Sequence, residues 1–84
     1  MKHVSTAGLD ELDDLLVELR RVDGLTEKKR GTFSRGSRAF LHFHEDPSGL
    51  YADVRIDAEF ERMRVTTKAE RKRLLSVARA AVRR

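Results

Sequence analysis

The chain has 84 residues, a length that suits one domain and is too short for two. It carries 18 Lys and Arg against 14 Asp and Glu, giving a net charge of +4, and it contains no cysteine. The lack of cysteine excludes a disulfide framework and a thiolate metal site. No apolar run approaches the ~18 residues that cross a bilayer, and no signal-peptide pattern follows Met1. We therefore expect a single domain over residues 1–84, in the cytoplasm and without a membrane partner.

The charge is unevenly distributed along the chain. Residues 1–27 hold three basic and seven acidic residues, a balance of −4, whereas residues 28–84 hold fifteen basic and seven acidic, a balance of +8. Two interpretations stay open. The two parts attract each other during assembly, or basic surface left uncovered attracts an anionic partner.

The first predicted element is a helix over residues 9–22. Leucine and valine recur there at i, i+3 and i+4, which gives one apolar stripe. Ser5 or Thr6 can cap its start, and acidic residues follow in the first turn, where the helix dipole favours them. Gly24 is well placed to end the helix in a left-handed conformation.

The middle of the chain alternates between apolar and polar residues, which is typical of strands. Four strands are predicted, over residues 32–34, 38–45, 50–56 and 62–65. The turn at residues 46–49 has Asp first, Pro to preset φ and Gly for a positive φ.

The last predicted element is again a helix. Thr67 and Glu70 have the spacing of a capping box, and an apolar stripe that includes Leu74 and Ala78 follows. The predicted order is therefore α-β-β-β-β-α. This order indicates an α+β fold in which an antiparallel sheet has the terminal helices packed on one face.

The register of the central hairpin follows from its turn. If residues 46–49 form the loop, Glu45 lies opposite Leu50, and stepwise pairing continues to Ala39 opposite Ile56. Because side chains alternate between the faces of a sheet, two sets separate. The apolar set is Ala39, Leu41, Phe43, Ala52, Val54 and Ile56. The second set is Phe40, His42, His44, Tyr51, Asp53 and Arg55. A slip of one residue would mix the sets, so we expect the apolar set to meet the helices.

The second set contains a candidate metal or small-ligand site. His42 lies opposite Asp53, and His44 is two residues further along the same strand, so all three side chains can reach one ion. His3, near the chain end, is interpreted as incidental. Two other interpretations stay open for this face: an ordinary solvated sheet surface with good cross-strand pairs, or a homodimer interface.

Basic and aromatic residues predict a second kind of site. The turn of the first hairpin carries Arg35 and Arg38, and Arg55 lies near them in the predicted sheet. Phe40 beside Arg55 predicts a cation–π contact, and exposed Phe40 or Tyr51 can stack on an unpaired base. These five residues form the predicted anion- or nucleic-acid-binding surface. The alternative is that the charges only solvate a small domain.

Motifs for catalysis are lacking in the sequence. It contains no G-x-S-x-G nucleophile motif, no Gly-rich phosphate loop and no H-E-x-x-H helix. A His–Asp pair alone is a fragment of an active site. We therefore favour a non-catalytic module that binds an anionic partner, with nucleic acid as one candidate and no cofactor expected. A metal or small-ligand protein using His42, His44 and Asp53 is the alternative, and the oligomeric state is left open.

One resemblance adds to this interpretation. The helix end VDGLTE at residues 22–27, the GTF of residues 31–33 and the strand–turn–strand of residues 38–55 are similar to the MmcQ/YjbR-like family and to short uncharacterised actinobacterial proteins. The resemblance covers about residues 9–82. It implies a compact α+β fold with an antiparallel sheet backed by the terminal helices, in a family often labelled DNA-binding from its fold. No site residue follows from it.

Overall fold

The computed structural model describes residues 1–83. Within them it shows an antiparallel sheet of six strands and three helices, so the predicted α+β class is confirmed. In chain order the elements are β1 (Lys2–His3), α1 (Thr6–Glu11), α2 (Asp13–Arg20), β2 (Leu25–Lys29), β3 (Thr32–Arg35), β4 (Arg38–Asp46), β5 (Gly49–Arg55), β6 (Phe60–Arg64) and α3 (Lys68–Val82). The helices pack on one face of the sheet and share one apolar core with it.

The N-terminal helix is divided into two. Leu12, with φ −89° and ψ 6°, ends α1 and begins α2, so the prediction of one continuous helix over residues 9–22 is wrong. The Leu12 amide donates to both Gly8 and Leu9, which tightens the turn at this point. Ser5 caps α1, its hydroxyl accepting from the amide of Gly8 at 3.1 Å. The predicted leucine stripe is nevertheless buried, because both helices present it to the sheet.

The strands lie in the order β2-β3-β4-β5-β6, and β1 pairs with β4 beyond the end of β3. The sequence analysis missed β1 and β2. A strand of two residues is too short to show an alternating pattern. In β2, the residues Glu27, Lys28 and Lys29 are too polar to indicate a strand, but they suit its position at the edge of the sheet.

The predicted register of the β4–β5 hairpin is confirmed over its central part. Pairing runs from Glu45 opposite Leu50 to Leu41 opposite Val54, and it closes at the turn with Asp46 opposite Gly49. Gly49 has a φ of +142°, which side-chain-bearing residues rarely adopt, so the glycine of this turn meets a conformational need.

The far end of β4 departs from the prediction. Phe33 pairs with Leu41, but Ser34 pairs with Ala39, so Phe40 is an extra residue in a β-bulge. The bulge breaks the alternation of faces. Phe40 is therefore 2% exposed and belongs to the core, whereas Ala39 is exposed. The predicted surface position of Phe40 and the predicted core position of Ala39 are both wrong.

The C-terminal helix α3 closes the core. Thr67 accepts from the amide of Glu70 at 3.1 Å, and Glu70 accepts from the amide of Thr67 at 2.9 Å, which confirms the capping box. Leu74 and Ala78 are fully buried, as predicted. Together with the leucines of α1 and α2, they cover the apolar face of β4 and β5.

A membrane span was not expected from the sequence. Among the helices of residues 1–83, none combines the length and the apolar character needed to cross a bilayer. The predicted cytoplasmic location stays a prediction.

Candidate metal centre on the open sheet face

The face of the sheet that turns away from the helices is called the open face here. Its side chains form rows across the strands, because residues directly opposite each other on neighbouring strands share a face. The rows are His3, His44, Tyr51 and Arg64; then His42, Asp53 and Arg62; and then Arg55 and Phe60. Pairing of the strands therefore places residues that are far apart in the chain side by side.

Two histidines and one aspartate of the open face converge on a common point. The ligand atoms of His42, His44 and Asp53, called the triad here, all lie within 4.8 Å of one another. Asp53 Oδ2 is 3.5 Å from His42 Nε2 and 3.1 Å from His44 Nε2. Ligands around a tetrahedral Zn²⁺ with bonds of about 2.0–2.1 Å are separated by about 3.3 Å. The structure thus brings the three predicted ligands together, and the two distances from Asp53 Oδ2 are close to the spacing around a metal ion.

The imidazole of His44 has an unsatisfied nitrogen. Its Nε2 atom is buried and has no hydrogen-bond partner among residues 1–83. The approach to Asp53 is short, but it does not have the angles of a hydrogen bond. A buried polar atom without a partner is unfavourable, so this nitrogen is available to a ligand at little cost. It faces the same carboxylate oxygen as His42 does.

The carboxylate of Asp53 is held from the other side by Arg62. Arg62 Nε donates to Oδ1 at 2.8 Å and Arg62 Nη2 donates to Oδ2 at 2.9 Å, a two-pronged ion pair. These hydrogen bonds lower the pKa of Asp53 below 3.8 against the opposing effect of burial, so the group is ionised at neutral pH. The Arg62 side chain is 47% exposed and has room to move away from Oδ2.

Burial is the main cause that lowers the pKa of His42 below 6.5, and the neighbouring His44 adds to the effect. Asp53 opposes it, but with less weight. The ring is packed edge-on against His44 at 4.8 Å and against Phe60 at 5.0 Å between centroids. His42 is therefore neutral at pH 7, which leaves a nitrogen lone pair for a metal ion.

The lowered pKa of His42 predicts how stability depends on pH. Below 6.5 the unfolded chain takes up a proton that folded His42 resists. The resulting stabilisation is therefore complete above 6.5 and is lost as the pH falls through the folded-state pKa. We expect wild type to lose stability in this range by no more than about 1.4 kcal/mol per pH unit from this one group.

Urea denaturation at a series of pH values between 7 and about 4.5 would measure this loss. The variant His42→Gln should show a flatter dependence. Equal slopes for wild type and His42→Gln would contradict the assignment.

His3, which was interpreted as incidental from the sequence, lies beside the triad. It pairs with His44 across β1 and β4, and the two rings stack with centroids 5.3 Å apart. It does not belong to the set of converging ligand atoms. This position could not be predicted because β1, which places His3 there, is too short to be recognised from its sequence.

The residues of the predicted anion-binding surface are divided between separate places. Tyr51 lies in the row of His44, with its hydroxyl 2.7 Å from that of Ser48, and Phe40 is buried in the core. Arg55 stacks on Phe60, 4.4 Å from the ring centroid, so the predicted contact with Phe40 is wrong. Phe60, which is 36% exposed, is a further aromatic residue of the open face.

Four of the predicted anion-binding residues do come together. One cleft is lined by Arg35, Arg38 and Arg55, by the buried ring of Phe40, and by Asp57. Arg55 donates from Nε to the carbonyl oxygen of Ala39 at 2.9 Å. The predicted basic surface is thus reduced to an arginine cleft at the bulged end of β4.

Comparison with known proteins gives no further guide to these sites. No family model, curated protein or solved structure matches the chain. The resemblance to the MmcQ/YjbR-like family therefore stays a prediction.

Proposed function

We propose that the protein is a metal-binding module that holds a transition metal ion of the Zn²⁺ type at the triad. The observation that carries this proposal is the convergence of two imidazole nitrogens and one carboxylate oxygen within 4.8 Å. Zn²⁺ accepts both kinds of ligand. The protonation states of His42 and Asp53 support it as well, because a metal ion needs a neutral imidazole and an ionised carboxylate.

The two carboxylate oxygens of Asp53 have different roles in this proposal. Oδ2 faces both histidines, whereas Oδ1 keeps the 2.8 Å hydrogen bond from Arg62 Nε. A metal ion bound through Oδ2 displaces only the contact from Arg62 Nη2. The remaining hydrogen bond then orients the carboxylate, as outer partners of metal ligands commonly do.

Three protein ligands leave one tetrahedral position for water or for a group supplied by another molecule. The triad lies on the open face, and the side chain of its His42 is 29% exposed. An incoming ligand therefore reaches the ion from the solvent side of the sheet. This arrangement supports binding of a metal, and of a molecule through the metal, as the function of this face.

The test is titration with Zn²⁺ by calorimetry and with Co²⁺ by visible absorption, which reports tetrahedral coordination. We expect one ion per chain for wild type, and a loss of affinity of about tenfold or more for His44→Gln and Asp53→Asn. The control is His3→Gln, because residue 3 is the remaining histidine of the chain and lies outside the triad. It should bind as wild type does.

Two outcomes would overturn the proposal. One is a wild-type protein that binds neither ion at micromolar concentration. The other is a loss of affinity in His3→Gln as large as that in His44→Gln, which would indicate unspecific binding by exposed imidazole. Far-ultraviolet circular dichroism of each variant shows whether the fold is kept.

A further inference from the structure

The arginine cleft lies apart from the triad and has a volume of about 250 Å³. It is lined by Arg35, Arg38 and Arg55, together with Asp57, Phe40 and Ile56. Three guanidinium groups and one carboxylate give the lining a net charge of +2. The cleft is smaller than the roughly 300–1,000 Å³ of sites that enclose whole small molecules, so it suits a single charged group.

The bulge in β4 builds one wall of this cleft. With Phe40 turned into the core, the carbonyl oxygen of Ala39 accepts from Arg55 Nε at 2.9 Å. Arg55 Nη1 donates to the carbonyl of Ala58 at 2.8 Å, and the guanidinium stacks on Phe60 at 4.4 Å. These contacts fix the guanidinium before any ligand arrives, and its Nη2 donates no hydrogen bond to any of residues 1–83. Fixing a side chain in advance lowers the entropy cost of binding.

A second guanidinium is fixed by the C-terminal helix. Arg35 Nη1 donates to the carbonyl oxygen of Ala81 in α3 at 3.1 Å. Arg38 is exposed and forms no ion pair with any of residues 1–83. The cleft thus combines two positioned arginines with one that is free to close on a ligand.

We propose that the arginine cleft binds a phosphate group, either that of a phosphomonoester or that of a nucleic-acid backbone. Arginine forks match the oxygens of phosphate in pairs, and several around one small cleft give the charge that a dianion requires. This inference is independent of the proposed metal site, since none of the triad residues lines the cleft.

The experiment is a ¹H–¹⁵N NMR titration in metal-free buffer at low salt, with inorganic phosphate, methyl phosphate and a short single-stranded DNA as separate probes. We expect shifts at the amides of Arg38 and Ala39 and at the Nε resonance of Arg55, reversed by added salt. The variant Arg38→Glu should lower the affinity by about tenfold or more.

The matched control is Arg73→Glu. Arg73 is an exposed arginine of α3 without an ion pair to residues 1–83, so this variant changes the net charge by the same amount away from the cleft. We expect it to bind almost as wild type does. A second variant, Arg55→Lys, keeps the charge but loses the paired donation to Ala39 and Ala58, and it should also bind more weakly.

The probes distinguish the two sources of phosphate. Saturable binding of methyl phosphate supports a phosphomonoester, and binding of the DNA alone supports a nucleic-acid backbone. The proposal is overturned if no probe shifts these resonances, or if Arg38→Glu and Arg73→Glu weaken binding equally. Because the titration buffer contains no metal ion, neither result bears on the proposed metal site.

Discussion

Replacement of Phe40 by alanine is expected to lower the free energy of unfolding by about 3–5 kcal/mol. Phe40 is 2% exposed and packs in the core, because the bulge turns it away from the open face. Its removal leaves a cavity that the surrounding strands and helices fill only in part. Small domains are stable by about 5–15 kcal/mol, so the loss is a large part of the total. Urea denaturation followed by circular dichroism measures it.

Phe60→Ala is the matched control for this experiment. The ring of Phe60 is 36% exposed and contacts Arg55 and His42 at the surface. Its loss should cost about 1 kcal/mol or less. A small effect at Phe40 with a large one at Phe60 would show that β4 continues without a bulge and that Phe40 lies at the surface.

Arg62→Ala is expected to strengthen Zn²⁺ binding by about three- to tenfold. Arg62 occupies both oxygens of Asp53, and a metal ion must displace the hydrogen bond from Nη2 to Oδ2. Without this competing cation, the carboxylate is free for the metal. Asp53→Asn should act in the opposite direction, because it removes the charged ligand. Calorimetric titration of both variants shows whether the Zn²⁺ affinity of each rises or falls.

Arg64→Ala provides the control for charge alone. Arg64 lies on the same strand as Arg62 but pairs with Glu70, not with a residue of the triad. Zn²⁺ affinity should therefore stay within about twofold of wild type. If Arg62→Ala weakens binding instead, the orientation of Asp53 by the Nε hydrogen bond outweighs the competition from Nη2, and the predicted sign is wrong.

The triad could be predicted because its geometry depends on local rules. The turn at residues 46–49 fixes the register of the hairpin, and alternation then places His42, His44 and Asp53 on one face. The structure confirms each step. The partner Arg62 was not predicted, because the predicted strand began at residue 62, whereas β6 begins at Phe60 and places Arg62 opposite Asp53.

Other features depend on contacts that local patterns do not contain. The bulge at Phe40 changes which residues face the core. The apolar run Ala39-Phe40-Leu41 interrupts the alternation of β4, but it does not show which residue is the extra one. The break at Leu12 is hidden because the leucine stripe continues through it. The strand β1 forms because Lys2 and His3 pair with Glu45 and His44 of β4, which is a long-range contact.

All three residues of the triad belong to a single hairpin, β4 and β5, joined by a tight turn. Contacts that are close in the chain cost the least loop entropy and tend to form first during folding. We therefore expect the ligands to assemble before the helices dock on the other face. A metal ion present during refolding should therefore raise the folding rate, because it binds the hairpin that we expect to form the nucleus. Its effect on the folding rate should exceed its effect on the unfolding rate.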